Sequence, residues 1–147
     1  LSGIRGHAPN AGVRTNVIVG FPGETEADLE ELADFLAQAA MDAVGVFGYS
    51  DEEGTEAIGL DGHLPEDEID RRVAHICALV DELTLERATR RIGEHVEVIM
   101  EEPGVGRAAH QGPEDGATLI EEAGEVGDVV RAVVTGVEGV DLVAEIR

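Results

Sequence analysis

The sequence predicts an α/β segment followed by a small all-β barrel of the OB-like type. Up to about residue 89, β-branched runs alternate with stretches of helical spacing, which is typical of strand and helix units. After about residue 90, short β-rich runs are separated by Gly, Pro and acidic turns. The chain has 147 residues and is 43% hydrophobic, enough for one ordinary domain or two small ones. We therefore expect a domain boundary near Arg90.

The segment Arg14–Thr25 begins the α/β part. Its run Val17–Val19 is apolar without interruption, which favours a strand buried on both faces. Gly20 and Gly23 allow the backbone to approach a bulky group closely, and Pro22 stiffens the turn between them. Loops at the carboxyl ends of parallel strands bind ligands in many α/β proteins, although a plain strand-to-helix turn explains this spacing equally well.

A helix and a second strand follow this loop. Thr25 and Asp28 predict a capping box, and hence a helix start. Apolar residues at helical spacing predict the face of this helix that packs on a sheet, namely Leu29, Leu32, Leu36 and Ala40. A strand over about Ala43–Gly48 completes a right-handed unit of two parallel strands joined by a helix.

The loop Tyr49–Thr55 follows the second strand. Because parallel strands end at the same edge of a sheet, we expect this loop to share a cleft with residues 20–24. Tyr49 offers an aromatic ring with a polar tip. The acidic run Asp51–Glu53 either binds a metal ion or stays solvated, and the absence of metal-ligand spacing favours solvation.

A long helix is predicted to begin after Pro65 and to cover about Glu66–Ile92. Its inward stripe repeats at spacings of three and four residues: Ile69, Val73, Ile76, Val80, Leu83 and Arg87. Cys77 lies beside this stripe and is expected to be a small core residue, since one thiol holds neither a zinc ion nor an iron–sulfur cluster.

The tail contains candidate strands that are expected to close into a small barrel. They cover about Val96–Met100, Arg107–His110, Ala117–Ile120, Asp128–Thr135 and Asp141–Ile146.

The charge of the chain limits its partners. The formal net charge is −22, and all ten basic residues are Arg. Such a surface repels nucleic acid, whereas a basic protein partner fits it, unless the acidity only maintains solubility. No apolar run has membrane-spanning length and no signal-peptide pattern opens the chain, so we expect no membrane contact. A single cysteine fits a cytoplasmic location.

No motif assigns a catalytic or metal-binding residue. The five histidines have no paired-ligand spacing. The sequence also lacks a nucleophile elbow, a P-loop and a dinucleotide fingerprint.

Three segments in order resemble the methylthiotransferases, which are radical S-adenosylmethionine enzymes. The first is the RTNVIVGFPGET segment at Arg14–Thr25, and the second is GVFGYS at residues 45–50 with EGT at residues 53–55. The third is GDVVR at residues 127–131 with DLV at residues 141–143. The resemblance covers essentially the whole chain.

The resemblance implies the C-terminal part of a radical S-adenosylmethionine (TIM-like) barrel over residues 1–89, followed by a TRAM domain over residues 90–147. It also implies that residues near the cofactor lie in the two loops. These candidate cofactor-binding residues are Gly20, Phe21, Pro22, Gly23, Glu24, Tyr49 and Ser50. Glu24 is expected either to accept a bond from a cofactor hydroxyl or amine, or to serve as a negative charge at the helix start.

The implied cofactors are S-adenosylmethionine and two 4Fe-4S clusters. Methylthiotransferases hold these clusters with a CxxxCxxC motif and three further cysteines, none of which is present here. The cluster ligands would therefore lie outside this chain, and we expect the chain alone to be inactive.

Within the family, the chain resembles the branch that methylthiolates an aspartate of a small-subunit ribosomal protein. Residues 90–147 contain five Arg and thirteen acidic residues, so their net charge of −8 suits a basic ribosomal protein better than tRNA. An electron donor protein would be a second partner. The alternatives are the branch that modifies adenosine in tRNA, and a truncated, non-catalytic module that only binds a protein.

Overall fold

The computed structural model describes residues 1–121 and 124–147 and divides the chain into two compact units. The first, the α/β unit, contains Thr15–Ala40 and Val44–Leu83. The second, the barrel unit, contains Leu1–Arg14, Met41–Ala43 and Thr84–Arg147. The domain boundary near Arg90 stays a prediction.

A short helix α1 covers Ser2–His7, and alternating strands and helices follow it. They are strand β1 (Arg14–Val19), helix α2 (Glu26–Ala39), strand β2 (Ala43–Gly48) and helix α3 (Glu66–Thr89). The predicted capping box at the start of α2 is confirmed. The hydroxyl of Thr25 accepts the N–H of Asp28 at 3.3 Å, and the Asp28 carboxylate accepts the N–H of Thr25 at 2.8 Å.

Strands β1 and β2 form a two-stranded sheet. The Asp42 N–H donates to the Val13 carbonyl at one end, and the Tyr49 N–H donates to the Val19 carbonyl at the other, both at 2.8 Å. Because the starts of the two strands lie together and their ends lie together, the pair is parallel, as predicted.

Helices cover one face of this sheet. The core of the α/β unit consists of buried residues from β1, α2 and α3: Val19, Leu29, Leu36, Ile76 and Val80. On the opposite face, Ile18 is 60% exposed and Phe47 is 55% exposed. Strand β1 in this chain is therefore buried on one face only, which corrects the prediction of burial on both.

Helix α3 ends three residues before the predicted Ile92. The chain turns at residues 90–93, where Gly93 adopts a φ of +89°, and the Gly93 N–H donates to the Val134 carbonyl at 2.8 Å. A residue with a positive φ cannot continue a right-handed helix, and glycine adopts such a φ more readily than other residues. No helix of the described residues combines the length and the apolar character needed to cross a membrane.

The predicted all-β barrel is confirmed and is closed in the order β3-β4-β5-β7-β6. Its strands are β3 (His95–Glu102), β4 (Val105–Ala108), β5 (Thr118–Leu119), β6 (Val129–Glu138) and β7 (Asp141–Ile146). Alternate residues point inward, as the strand period requires. The barrel core contains Val96, Val98, Met100, Ala108, Ile120, Ala132, Val134, Leu142 and Ala144.

Strand β6 runs three residues beyond the predicted Thr135, to Glu138. It forms a hairpin with β7 in which Glu138 faces Asp141. The register shifts between Val134 and Gly136, so Thr135 lies in a bulge that interrupts the alternation on which the prediction was based.

We predict that Leu142→Ala lowers the free energy of unfolding by about 2–5 kcal/mol, because it opens a cavity in a closed core. Leu142 is fully buried, whereas Val126 in the same unit is 63% exposed. Urea unfolding of both variants checks this, with Val126→Ala expected to change the free energy by less than about 0.5 kcal/mol. Equal changes in the free energy of unfolding for the two variants would contradict the burial of Leu142 in the barrel core.

Candidate functional site

The β1–α2 loop, Gly20–Thr25, is held by its own backbone. The Glu24 N–H donates to the Phe21 carbonyl, and the Gly23 N–H donates to the Gly62 carbonyl, both at 2.9 Å. Pro22 is buried. The predicted turn is therefore held by backbone hydrogen bonds and is anchored to the segment that precedes α3.

Gly20 and Gly23 both have a positive φ, but the space around their missing side chains differs. Gly20 has a φ of +79°, and a Cβ atom there would lie 2.8 Å from the Ile69 side chain. Gly23 has a φ of +86°, but nothing lies within 4 Å of the position of its missing Cβ. Gly20 therefore permits close packing of α3 on the loop, whereas Gly23 leaves open space beside the backbone.

The Glu24 carboxylate is the central acceptor of the loop. Both of its oxygens lie 3.0 Å from the Gly20 nitrogen, which donates its N–H. Its Oε1 atom also accepts a bond of 2.6 Å from Nη1 of Arg72. The exposed fractions of the two side chains are 13% for Glu24 and 5% for Arg72. Glu24 thus ties the end of β1 to helix α3.

Sequence reasoning did not identify Arg72 as a residue of this site. Its Nη1 atom also donates to the Glu24 carbonyl at 3.2 Å, and its Nε atom donates to Glu68 at 2.7 Å. Hydrogen bonds from Arg71 and Arg72 lower the pKa of Glu68 to about 2. The bonds that Arg72 donates to Glu24 and Glu68 raise the pKa of Arg72 in turn. The spacing of four residues between Glu68 and Arg72 indicates that these two side chains can pair on a helix, but it does not indicate the bond from Arg72 to Glu24.

The β2–α3 loop, Tyr49–Pro65, lies against the first loop, as the parallel strands predict. The Tyr49 ring packs edge-on against Phe21 with centroids 5.2 Å apart, and against His63 at 5.9 Å. The Tyr49 hydroxyl donates to Asp51 at 2.9 Å. Desolvation and this bond raise the pKa of Tyr49. Ser50 is exposed.

Asp51 belongs to the acidic run in which metal binding and solvation were alternatives. Its Oδ1 atom lies 3.4 Å from Nδ1 of His63 and accepts the Tyr49 hydroxyl, so it already has protein partners. Across the described ranges, no three His, Cys, Asp or Glu side chains are grouped to hold a metal ion.

A second buried carboxylate, Asp42, lies in the barrel unit and was also missed. Its side chain is 7% exposed. Its Oδ1 atom accepts bonds from Arg91 at 2.6 Å and Arg87 at 3.1 Å, and its Oδ2 atom accepts the Val13 N–H at 3.0 Å. Burial raises the pKa of Asp42, but the bonds from Arg91 and Val13 outweigh burial, so the net pKa is lowered.

His110 lines a cavity of about 240 Å³ in the barrel unit, together with Asp42 and Asp115. Burial, followed by the positive charge of Arg91, lowers the pKa of His110 to about 4. The imidazole of the half-buried His110 is therefore neutral at pH 7.

We predict that Arg72→Gln lowers the free energy of unfolding by about 2–3 kcal/mol, because it leaves the buried Glu24 carboxylate without its charged partner. The matched control is Arg71→Gln. Arg71 is the neighbouring residue, and its side chain is 48% exposed. Urea unfolding at neutral pH should show a much smaller effect for the control, and similar effects would contradict the role of Arg72.

We also predict that His110→Gln flattens the loss of stability on acidification. The folded pKa of about 4 lies below the ordinary value of 6.5, so the unfolded chain binds the proton more readily. The contribution of His110 is therefore complete above about pH 6.5 and is lost as the pH falls toward 4. Urea midpoints between pH 7.5 and pH 4.5 measure it. The exposed His95 supplies the control His95→Gln, which should follow the wild type, and a wild-type profile for His110→Gln would contradict the prediction.

Comparison with known proteins identifies a domain and several relatives of this chain. Residues 92–146 match the family model of the TRAM domain. The chain is 62% identical to the ribosomal protein uS12 methylthiotransferase RimO of Nocardioides sp., over 97% of this chain and 32% of that relative. It is 56% identical to the protein of the same name from Kineococcus radiotolerans, over 99% of this chain and 32% of the relative. For Saccharopolyspora erythraea the identity is 58%, over 95% of this chain and 30% of the relative.

The chain spans about a third of the length of these curated relatives and matches a C-terminal part of them. The sequence resemblance to methylthiotransferases is therefore confirmed. Over nearly its whole length, this chain is therefore similar to a C-terminal part of the ribosomal protein uS12 methylthiotransferases, and its residues 92–146 match the TRAM domain.

Proposed function

We propose that this chain works as the C-terminal part of a radical S-adenosylmethionine enzyme that adds a methylthio group to an aspartate of ribosomal protein uS12. The observation that carries the proposal is the identity of 62% with a uS12 methylthiotransferase over 97% of this chain. In this proposal residues 1–89 contribute to the radical-enzyme barrel and residues 90–147 are the TRAM domain. The reaction would take place in the cytoplasm, where ribosomal proteins are found.

The described residues of this chain are better suited to contact S-adenosylmethionine than to supply ligands to the 4Fe-4S clusters. It contains one cysteine, and its described residues group no three metal-binding side chains, so the ligands of the 4Fe-4S clusters would come from elsewhere in the enzyme. When bound, S-adenosylmethionine and the clusters supply the radical chemistry and the methylthio group.

Several features support a place for S-adenosylmethionine at the two loops. Beside Gly23 the backbone is open, and Phe21 is 43% exposed next to the ring of Tyr49. We propose that these groups lie against the adenosine or methionine part of the cofactor, with Gly20 and Pro22 fixing the turn and the Ser50 hydroxyl beside it.

Glu24 can offer only part of its carboxylate to the proposed cofactor site. Its Oε1 atom accepts bonds from Arg72 and Gly20, whereas its Oε2 atom accepts only the Gly20 N–H within the described part of the chain. A carboxylate oxygen has two lone pairs, so Oε2 retains the capacity to accept a bond from a cofactor hydroxyl or amine. We propose this second bond for Glu24, whose first role is to hold the loop.

The acidic TRAM domain, residues 90–147, would dock the substrate. A formal charge of −8 over residues 90–147 attracts a basic ribosomal protein and repels tRNA. An electron donor protein would reduce the clusters.

The proposal is tested with the Nocardioides relative after its matching third has been replaced by this chain. We expect the chimaeric enzyme to methylthiolate uS12 in the presence of S-adenosylmethionine and a reductant, as detected by mass spectrometry. Modification of adenosine in tRNA in place of uS12 would establish the other branch. Absence of both products, with an active parent enzyme, would favour a non-catalytic module.

The cofactor pocket has its own prediction in the same chimaera. We expect Phe21→Ala to weaken S-adenosylmethionine binding by about tenfold, since it removes an aromatic contact. The matched control is Phe35→Ala, because Phe35 is a similarly exposed phenylalanine of α2, at 50%. Calorimetric titration checks both variants, and equal affinities would remove the two loops from the cofactor site.

A further inference from the structure

The barrel carries a groove where the short ladder between β5 and β7 ends. Strand β5 has two residues and pairs in parallel with β7, with Thr118 facing Leu142 and Leu119 facing Val143. Strand β7 continues to Ile146. Beyond Val143, no strand of the described residues pairs with β7 on the β5 side. We call the resulting depression, which has a volume of about 650 Å³, the β7 groove.

The β7 groove combines an apolar surface with an acidic rim. Leu119 and Val143 are half-buried, and Ile146 is 44% exposed, so each leaves apolar surface open. Its acidic side chains are all exposed and come from three different places in the barrel: Glu121, Glu138 and Glu145. An apolar floor with charges of one sign around it is suited to a partner that has both apolar and oppositely charged side chains.

The basic residues of the barrel neutralise this rim only in part. Arg107 pairs with Glu101 at 2.7 Å, and Arg131 pairs with Glu97 at 3.2 Å. Neither acidic partner lines the groove. Among the described residues, the cation beside the rim is Arg147, whose Nη2 atom lies 3.8 Å from Glu145. The groove therefore keeps an excess of negative charge.

We propose that the β7 groove binds an extended segment of a protein partner, rich in Lys or Arg and containing apolar residues. Its open strand edge, residues 144–146, can pair with the backbone of such a segment, while the acidic rim binds the cationic side chains. The inference rests on the proposed function, which supplies a basic ribosomal protein as the occupant. Nucleic acid does not fit, because its phosphates would face the glutamates.

The test measures binding of RNA-free ribosomal protein uS12 to the 147-residue chain by fluorescence anisotropy at low and high salt. The groove variant carries three Glu→Gln substitutions, which remove charge from exposed side chains without changing their shape: Glu121→Gln, Glu138→Gln and Glu145→Gln. We expect it to bind about tenfold or more weakly and to be less sensitive to salt. Circular dichroism checks that the variant remains folded.

The matched control removes the same charge from exposed glutamates of the barrel unit outside the groove. Its substitutions are Glu102→Gln, Glu114→Gln and Glu125→Gln. We expect the affinity of the control for uS12 to stay within about twofold of the wild type, since distant exposed charges are screened.

Equal losses of affinity for uS12 in both variants would show that net charge alone attracts uS12. This result would overturn the proposal that uS12 docks at the β7 groove, while leaving the proposed function intact. Tighter binding of single-stranded RNA than of uS12 would also overturn it, as would dimers of this chain that are lost in the groove variant. A wild-type chain that does not bind uS12 would overturn docking at the groove. The modification assay on the chimaera decides the proposed function separately, because it detects the product and not the docking contact.

Discussion

A carboxylate that is shielded from water and held by arginine stabilises each of the two units. In the α/β unit, Glu24 accepts from Arg72 and from the Gly20 backbone, so the end of β1 and helix α3 share one acceptor. In the barrel unit, Asp42 accepts from Arg91 and from the Val13 backbone. A planar guanidinium has several donors in a fixed geometry, which a lysine ammonium does not reproduce. The absence of Lys from this chain is consistent with that use.

This use of arginine also affects the surface. The chain has ten Arg against 32 acidic residues, and Arg72 and Arg91 are themselves buried. Cations that hold buried carboxylates are not available to neutralise exposed ones. The interior is therefore electrically balanced at these points while the surface remains strongly acidic, which connects the stability of the fold with the kind of partner that the chain attracts.

Local patterns in the sequence were sufficient for much of the fold. The capping box at Thr25 and the parallel strand pair depend on neighbouring residues or on regular periodicity, and both were predicted. Arg72 and Asp42 could not be found in this way, because Arg72 meets Glu24 across 48 residues and Asp42 meets Arg91 across 49. Such contacts depend on how the elements pack, and a single sequence does not show this.

The packing of Tyr49 has a spectroscopic consequence. It is the only tyrosine in a chain without tryptophan, so the near-ultraviolet emission of the protein comes almost entirely from one ring. That ring lies edge-on to Phe21 and donates its hydroxyl to Asp51, an acceptor that quenches the excited phenol. A molecule that enters between the two loops and disturbs either contact would change this emission, so the protein carries its own optical reporter at the candidate cofactor site.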